Sequence, residues 1–174
     1  MGKFRLILAS ALFAFGMQAS VLHAASPLPT VGAFGPDSLR HILDSHRGQP
    51  FVLVLWSLDC TYCQASMATL AKTKNANRHL QVVTLLTEQA QEQKAVKLMY
   101  DKLGKLQTGA GNWAFDATPP EQLRYTVDPA WHGELPRSYW YHADGSRTAY
   151  SGVITASVIQ KMQAKDKEMG SRSE

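Results

Sequence analysis

Cysteine is scarce in this chain: Cys60 and Cys63 are the two among 174 residues. A framework of structural disulfides is excluded, because two cysteines three positions apart close too short a loop to restrain an unfolded chain much. A zinc site built on cysteine alone is excluded as well, since structural sites take four protein donors. Membrane-length apolar runs are missing. The apolar stretch from Leu6 to Met17 falls short of the ~20 residues that cross a bilayer, and no later segment has the length or apolarity. The net charge of +4 is modest. Lys94, Lys97, Lys102, Lys105, Lys161, Lys165 and Lys167 are scattered like the solvated faces of helices. A nucleic-acid surface would gather them on one face among exposed aromatics, so no nucleic-acid partner is expected. Repeats and a second apolar core are absent too, which leaves a single domain.

What is present begins at the N-terminus. Lys3 and Arg5 precede the apolar stretch, and small residues follow it down to His23-Ala24-Ala25-Ser26. This is the pattern of a cleavable secretory signal over residues 1–25, with the cut after Ala24 or Ala25. Ser10, Gln18 and Ser20 weaken the alternative of a retained anchor.

Residues 26–35 read as a Pro/Gly-containing lead-in. Pro36-Asp37-Ser38 opens a helix with Leu39, Ile42 and Leu43 as its apolar stripe, stopped by Gly48 and Pro50. Phe51 to Trp56 is a continuous apolar run, as in a strand covered on both faces. Gln64 to Asn77 reads as a helix and Leu80 to Leu86 as a second strand, giving a β-α-β unit with parallel strands. A polar helix is expected from about Gln89 to Leu103. Asn112 to Asp116 suggests a short strand and Glu121 to Tyr125 one or two helical turns. Ser138 to His142 and Ser146 to Ser151 flank Asp144-Gly145, a hairpin turn signal. Tyr139 and Tyr141 share one face of that hairpin and Trp140 takes the other. Thr155 to Lys165 closes the domain as an amphipathic helix with Val158, Ile159 and Met162 inward. Residues 166–174 are expected to be a flexible tail, so the domain proper spans 36–165.

The two cysteines sit where the first strand gives way to its helix. A lone Cys-x-x-Cys is ambiguous, but at a strand-to-helix junction it points to reversible thiol–disulfide chemistry. The start of a helix offers unpaired N–H groups and positive dipole, which favour a thiolate at Cys60. Cys63 lies one turn on, within disulfide reach. Cys60 is therefore the expected nucleophile and Cys63 the resolving thiol. Asp59 beside Cys60 opposes thiolate formation or serves as a helix cap. With Thr61 and Tyr62 uncharged, a reducing couple is expected. No dissociable cofactor is implied, because two sulfurs carry the chemistry. A metal would need further ligands from His41, His46, His79, His132 or His142, none at motif spacing, so no metal site is assigned. A copper metallochaperone and a binding module with a non-cycling disulfide remain the alternatives.

Trp56-x-x-x-Cys60-x-x-Cys63 after an apolar strand, with Leu135-Pro136 before a β-hairpin, resembles the thioredoxin superfamily. The export signal and long middle segment look most like its TlpA/ResA-type thiol–disulfide oxidoreductases. The resemblance covers about Pro36 to Lys165. It implies an α/β thioredoxin-like fold, a central mixed sheet flanked by helices. It implies a cis Leu135–Pro136 bond packed against the active disulfide, with backbone around Leu135 pairing with the partner's chain. The sequence itself shows only that Pro136 precedes a strand. Tyr62 and Trp131 are further candidates for partner contact, and Asp59 and Trp56 for tuning the pair. The resemblance also implies reduction of disulfides in periplasmic partner proteins, with electrons from a membrane donor. A monomer is expected. Two departures stand out. The family usually has Trp directly before the first cysteine, where this chain has Asp59. Thioredoxin carries a buried acid six residues before that cysteine, where this chain has Val54, so its buried proton acceptor is missing from that place.

When the full chain is expressed in a bacterium with a periplasm, the intact mass of the product is expected to begin at Ala25 or Ser26. A product retaining Met1 would remove the cleavable-signal reading.

Overall fold

The computed structural model describes residues 30–77, 79–89, 100–101 and 111–170. The expected signal segment lies outside them, as does most of the polar helix expected from Gln89 to Leu103. Gln89 itself ends a strand, and Tyr100 and Asp101 are helical.

Six strands form one mixed sheet: β1 (Gly32–Phe34), β2 (Phe51–Trp56), β3 (Gln81–Gln89), β4 (Asn112–Phe115), β5 (Arg137–Tyr141) and β6 (Arg147–Ser151). The described helices are α1 (Ser38–Ser45), α2 (Thr61–Ala76), α3 (Pro120–Val127) and α4 (Ala156–Gly170). The order across the sheet is β1-β4-β3-β2-β5-β6. The first four run parallel, and β5 and β6 pair antiparallel with β2 and with each other.

Strand β2 is the centre because every residue in it is apolar, so it can sit between two neighbours and under cover on both faces. All six of its residues are buried. Side chains alternate across a strand. Val52, Val54 and Trp56 accordingly join a cluster with Cys63, Met67 and Leu70 of α2 and Ile159 and Met162 of α4. Phe51, Leu53 and Leu55 join the opposite cluster with Ile42 of α1 and Leu123 and Val127 of α3. Helix α2 presents Cys63, Ser66, Met67 and Leu70 to the sheet, at the three-and-four spacing of one helix face. The buried Ser66 hydroxyl accepts the Ile154 N–H at 2.9 Å and donates to the Tyr62 carbonyl at 3.0 Å, tying α2 to the approach of α4.

Some expectations change. The lead-in contains β1, which the sequence pattern missed because three residues are too few to show a period. Its pairing depends on Gly32, where a Cβ would stand 2.7 Å from Trp113 Cε3. Leu43 is exposed, and Ile42 is the buried anchor of α1. The tail expected from residue 166 is helical through Gly170. Asp166 accepts a hydrogen bond from the buried His142 ring, which holds the last turns of α4 against the end of β5. As expected, Tyr139 and Tyr141 pack in one cluster and Trp140 in the other.

Leu53→Ala, at the middle of β2, is expected to cost about 2–5 kcal/mol through lost transfer energy and an unfilled cavity. Urea unfolding measures it.

Candidate active site

The sheet delivers both cysteines to the carboxyl end of β2. The strand stops at Trp56, four residues turn, and α2 begins at Thr61. Cys60 is the N-cap residue, with extended backbone, and its Sγ accepts the Cys63 N–H at 3.0 Å. A helix leaves its first N–H groups unpaired, and here a cysteine sulfur takes one. The N-cap expected of Asp59 is thus filled by Cys60, and Asp59 is exposed in the turn before it. Cys60 and Cys63 are disulfide-bonded, with Cα atoms 5.2 Å apart. Cys60 is partly exposed, whereas Cys63 is 0% exposed. Between them Tyr62 stands 67% exposed. Trp56 is fully buried in the cluster that holds Cys63, so it supports the pair from below.

The second loop of the site comes from the approach to β5. The Leu135–Pro136 bond is cis. Leu135 packs on the same cluster as Cys60 and Cys63, and Pro136 is buried with its carbonyl accepting the Gly152 N–H at 3.0 Å. Trp131, expected as a candidate partner contact near the groove, is instead 4% exposed and belongs to the core. Its indole N–H donates to the Glu134 carbonyl at 2.9 Å, so it braces the proline loop from inside. His132 is exposed beside it.

A charged network fastens this loop. Asp128 accepts from the Tyr139 hydroxyl at 3.0 Å, the Ala130 N–H at 3.1 Å, and Arg137 and Arg147 at 3.3 Å each. Arg137 also reaches Glu134 at 3.0 Å and Ser151 at 2.6 Å. Burial would push the Asp128 carboxyl up. The Ala130 N–H, the Tyr139 hydroxyl and the two guanidiniums outweigh it and hold the group below its ordinary range. Burial also raises the Tyr139 hydroxyl, which stays a donor.

Sequence reasoning missed Glu88. Its Oε1 accepts the Leu58 N–H at 3.0 Å, in the turn that leads to Cys60. Its Oε2 is buried without a hydrogen-bond partner among the described residues. The parallel register sets Trp56 opposite Leu86, and two residues beyond that pair lie Leu58, in the turn after β2, and Glu88, still on β3. Aligning the ends of the two predicted strands was the signal that would have found it.

Among the described residues no three His, Cys, Asp or Glu side chains gather as a metal site, and no helix is long and apolar enough to cross a membrane.

No family model matches the chain, and no curated protein matches it. Solved structures do. A thioredoxin-related protein from Neisseria meningitidis serogroup B is 15% identical over 72% of this chain and 90% of its own, with a TM-score of 0.57. A thiol:disulfide interchange protein of the thioredoxin family from Chlorobium tepidum TLS is 16% identical over 80% and 96%, with a TM-score of 0.52. MTB dsbF, solved in mixed oxidized and reduced forms, is 16% identical over 68% and 81%, with a TM-score of 0.51. These likenesses show the fold: the chain is a single thioredoxin-like α/β domain, with a Cys-x-x-Cys disulfide at the start of α2.

Asp128→Ala would strand two guanidiniums and a hydroxyl, and is expected to cost about 3 kcal/mol at pH 7. Because the folded carboxyl titrates lower than the unfolded one, its contribution is complete above the unfolded value of about 4. It is lost as pH falls through the folded value. Urea unfolding of both proteins should therefore show the gap narrowing below about pH 4.

Proposed function

We propose that the protein is an exported thiol–disulfide oxidoreductase that reduces disulfides of partner proteins through the Cys60–Cys63 couple. One observation carries the reading. The disulfide caps the N-terminus of α2 with one sulfur partly exposed and the other wholly buried. Closing so short a loop adds little stability, so the bond is placed for exchange. Helix N–H groups stabilise negative charge on the Cys60 sulfur, and its exposure lets a partner approach.

In the reduced protein the Cys60 thiolate attacks one sulfur of a partner disulfide. A Cys60–partner bond forms and the other partner sulfur leaves as a thiolate. Cys63 then attacks Cys60 Sγ, the mixed disulfide breaks, and the second partner sulfur leaves. Two electrons have passed to the partner, and the Cys60–Cys63 bond has formed. Tyr62, Leu135 and Pro136 frame the approach to Cys60, with the backbone around Leu135 as the edge for an extended partner segment. The basic, apolar, small-residue N-terminus supports export to the periplasm. There a membrane donor would return the two electrons, and the protein would act as a monomer. The thiol:disulfide interchange protein that shares this fold is in keeping with that chemistry.

Equilibration in defined thiol–disulfide buffers, read by mass spectrometry after thiol alkylation, is expected to show a reversible couple of two protons and two electrons. Cys63→Ser should hold partner proteins as mixed disulfides through Cys60, and Cys60→Ser should hold none. A pair that never cycles would overturn the reading.

A further inference from the structure

The resolving step has a proton to dispose of. Cys63 is 0% exposed, so solvent does not reach its sulfur directly. A thiol is a poor nucleophile until it loses that proton, and a buried thiol needs a buried base. The strand position where thioredoxin carries its acid holds Val54 here, and Asp59 is exposed.

Glu88 is different. It sits at the end of β3, alongside the turn that leads to Cys60, and Leu58 of that turn packs on the cluster containing Cys60 and Cys63. One carboxyl oxygen is occupied by the Leu58 N–H, which fixes the group's position. The other, Oε2, is buried with no hydrogen-bond partner among the described residues. An uncompensated buried acceptor costs free energy, and a site that retains one is a candidate for chemistry.

Resting on the oxidoreductase reading above, we propose that Glu88 is the proton acceptor for Cys63 in the resolving step. In the mixed disulfide, the Cys63 thiol gives its proton to the Glu88 carboxylate. The Cys63 thiolate attacks Cys60 Sγ, the Cys60–Cys63 bond forms, and the partner sulfur leaves with the electron pair of the broken bond. Glu88 then returns its proton to solvent or to the departing thiolate.

The surroundings raise the carboxyl's affinity for a proton. Burial pushes the Glu88 carboxyl above its ordinary range. Hydrogen bonds from the Leu58 N–H and its own backbone pull against this, and the Asp59 charge adds to the rise. The Asp59 charge comes from the same turn, and Leu58, whose N–H Glu88 holds, packs on the cluster that buries Cys63. Neither adjoining strand, β2 nor β4, carries a charged residue.

The test follows the two halves of the exchange separately. The reduced protein is mixed in a stopped flow with dithiobis(nitrobenzoic acid). Attack by Cys60 releases one thionitrobenzoate, and resolution by Cys63 releases the second. Glu88→Gln keeps an oxygen for the Leu58 N–H but cannot take a proton. It is expected to leave the first phase within about twofold and to slow the second at least about tenfold at pH 7. The low-pH inflection of the second phase should vanish in Glu88→Gln and return in Glu88→Asp. A second phase unchanged in rate and pH profile overturns the proposal. So does slowing by Glu88→Ala with none by Glu88→Gln, which would make Glu88 a brace for the turn. A reduced pair that releases no thionitrobenzoate in the unsubstituted protein overturns the oxidoreductase reading itself.

Discussion

The burial of β2 on both faces is the constraint on which the rest depends. An all-apolar strand of six residues is driven to the middle of a sheet, because an edge would leave one side of it in water. Once it is central, its carboxyl end is the place where the chain must turn out of the core. The next residues start α2, and the first of them to meet the unpaired helix N–H groups is Cys60. The partial exposure of one sulfur and the burial of the other follow from that turn. Cys60 caps the helix from outside it, while Cys63 lies one turn in, on the face that packs on Val54 and Trp56.

The proline loop reaches the same place from the other side of β2. Strand β5 runs antiparallel to β2, so the residues entering β5 lie beside the residues leaving β2. Arg137 opposite Leu55 is the end pair of that ladder, and Leu135 and Pro136 come just before it. The loop is held by polar bonds as well as by packing. Asp128 gathers two guanidiniums and a tyrosine hydroxyl, and Trp131 ties its indole to the Glu134 carbonyl. An apolar bed under the cysteines and a charged clamp under the proline loop fix the two halves of the site independently.

Much of this was legible because it is local. The apolar run of β2, the Asp144-Gly145 turn and the three-and-four spacing in α4 each declare an element within a few residues. The cysteine pair declared its position through the elements on either side. The cis bond at Pro136 came from the resemblance carried by the cysteine motif, since the sequence around the proline shows only a strand start. Trp131 lies under the loop and not on its rim, and the two places have the same local sequence. Helix α4 runs past its expected end because Asp166 pairs with a histidine 24 residues away, a contact its own polar surroundings do not show.

By itself the sequence determined the central strand, the hairpin, and a cysteine pair at the opening of a helix. Each rests on the periodicity and conformational preference of neighbouring residues. The tertiary structure alone decided which acid accompanies the cysteines. Val54 leaves the expected place without a carboxylate, and Glu88 reaches the turn before Cys60 from a strand 30 residues further along. That meeting depends on the register of two parallel strands and on the low polarity around them. Contacts of this kind are decided by how elements pack, and no window of adjacent residues contains both partners.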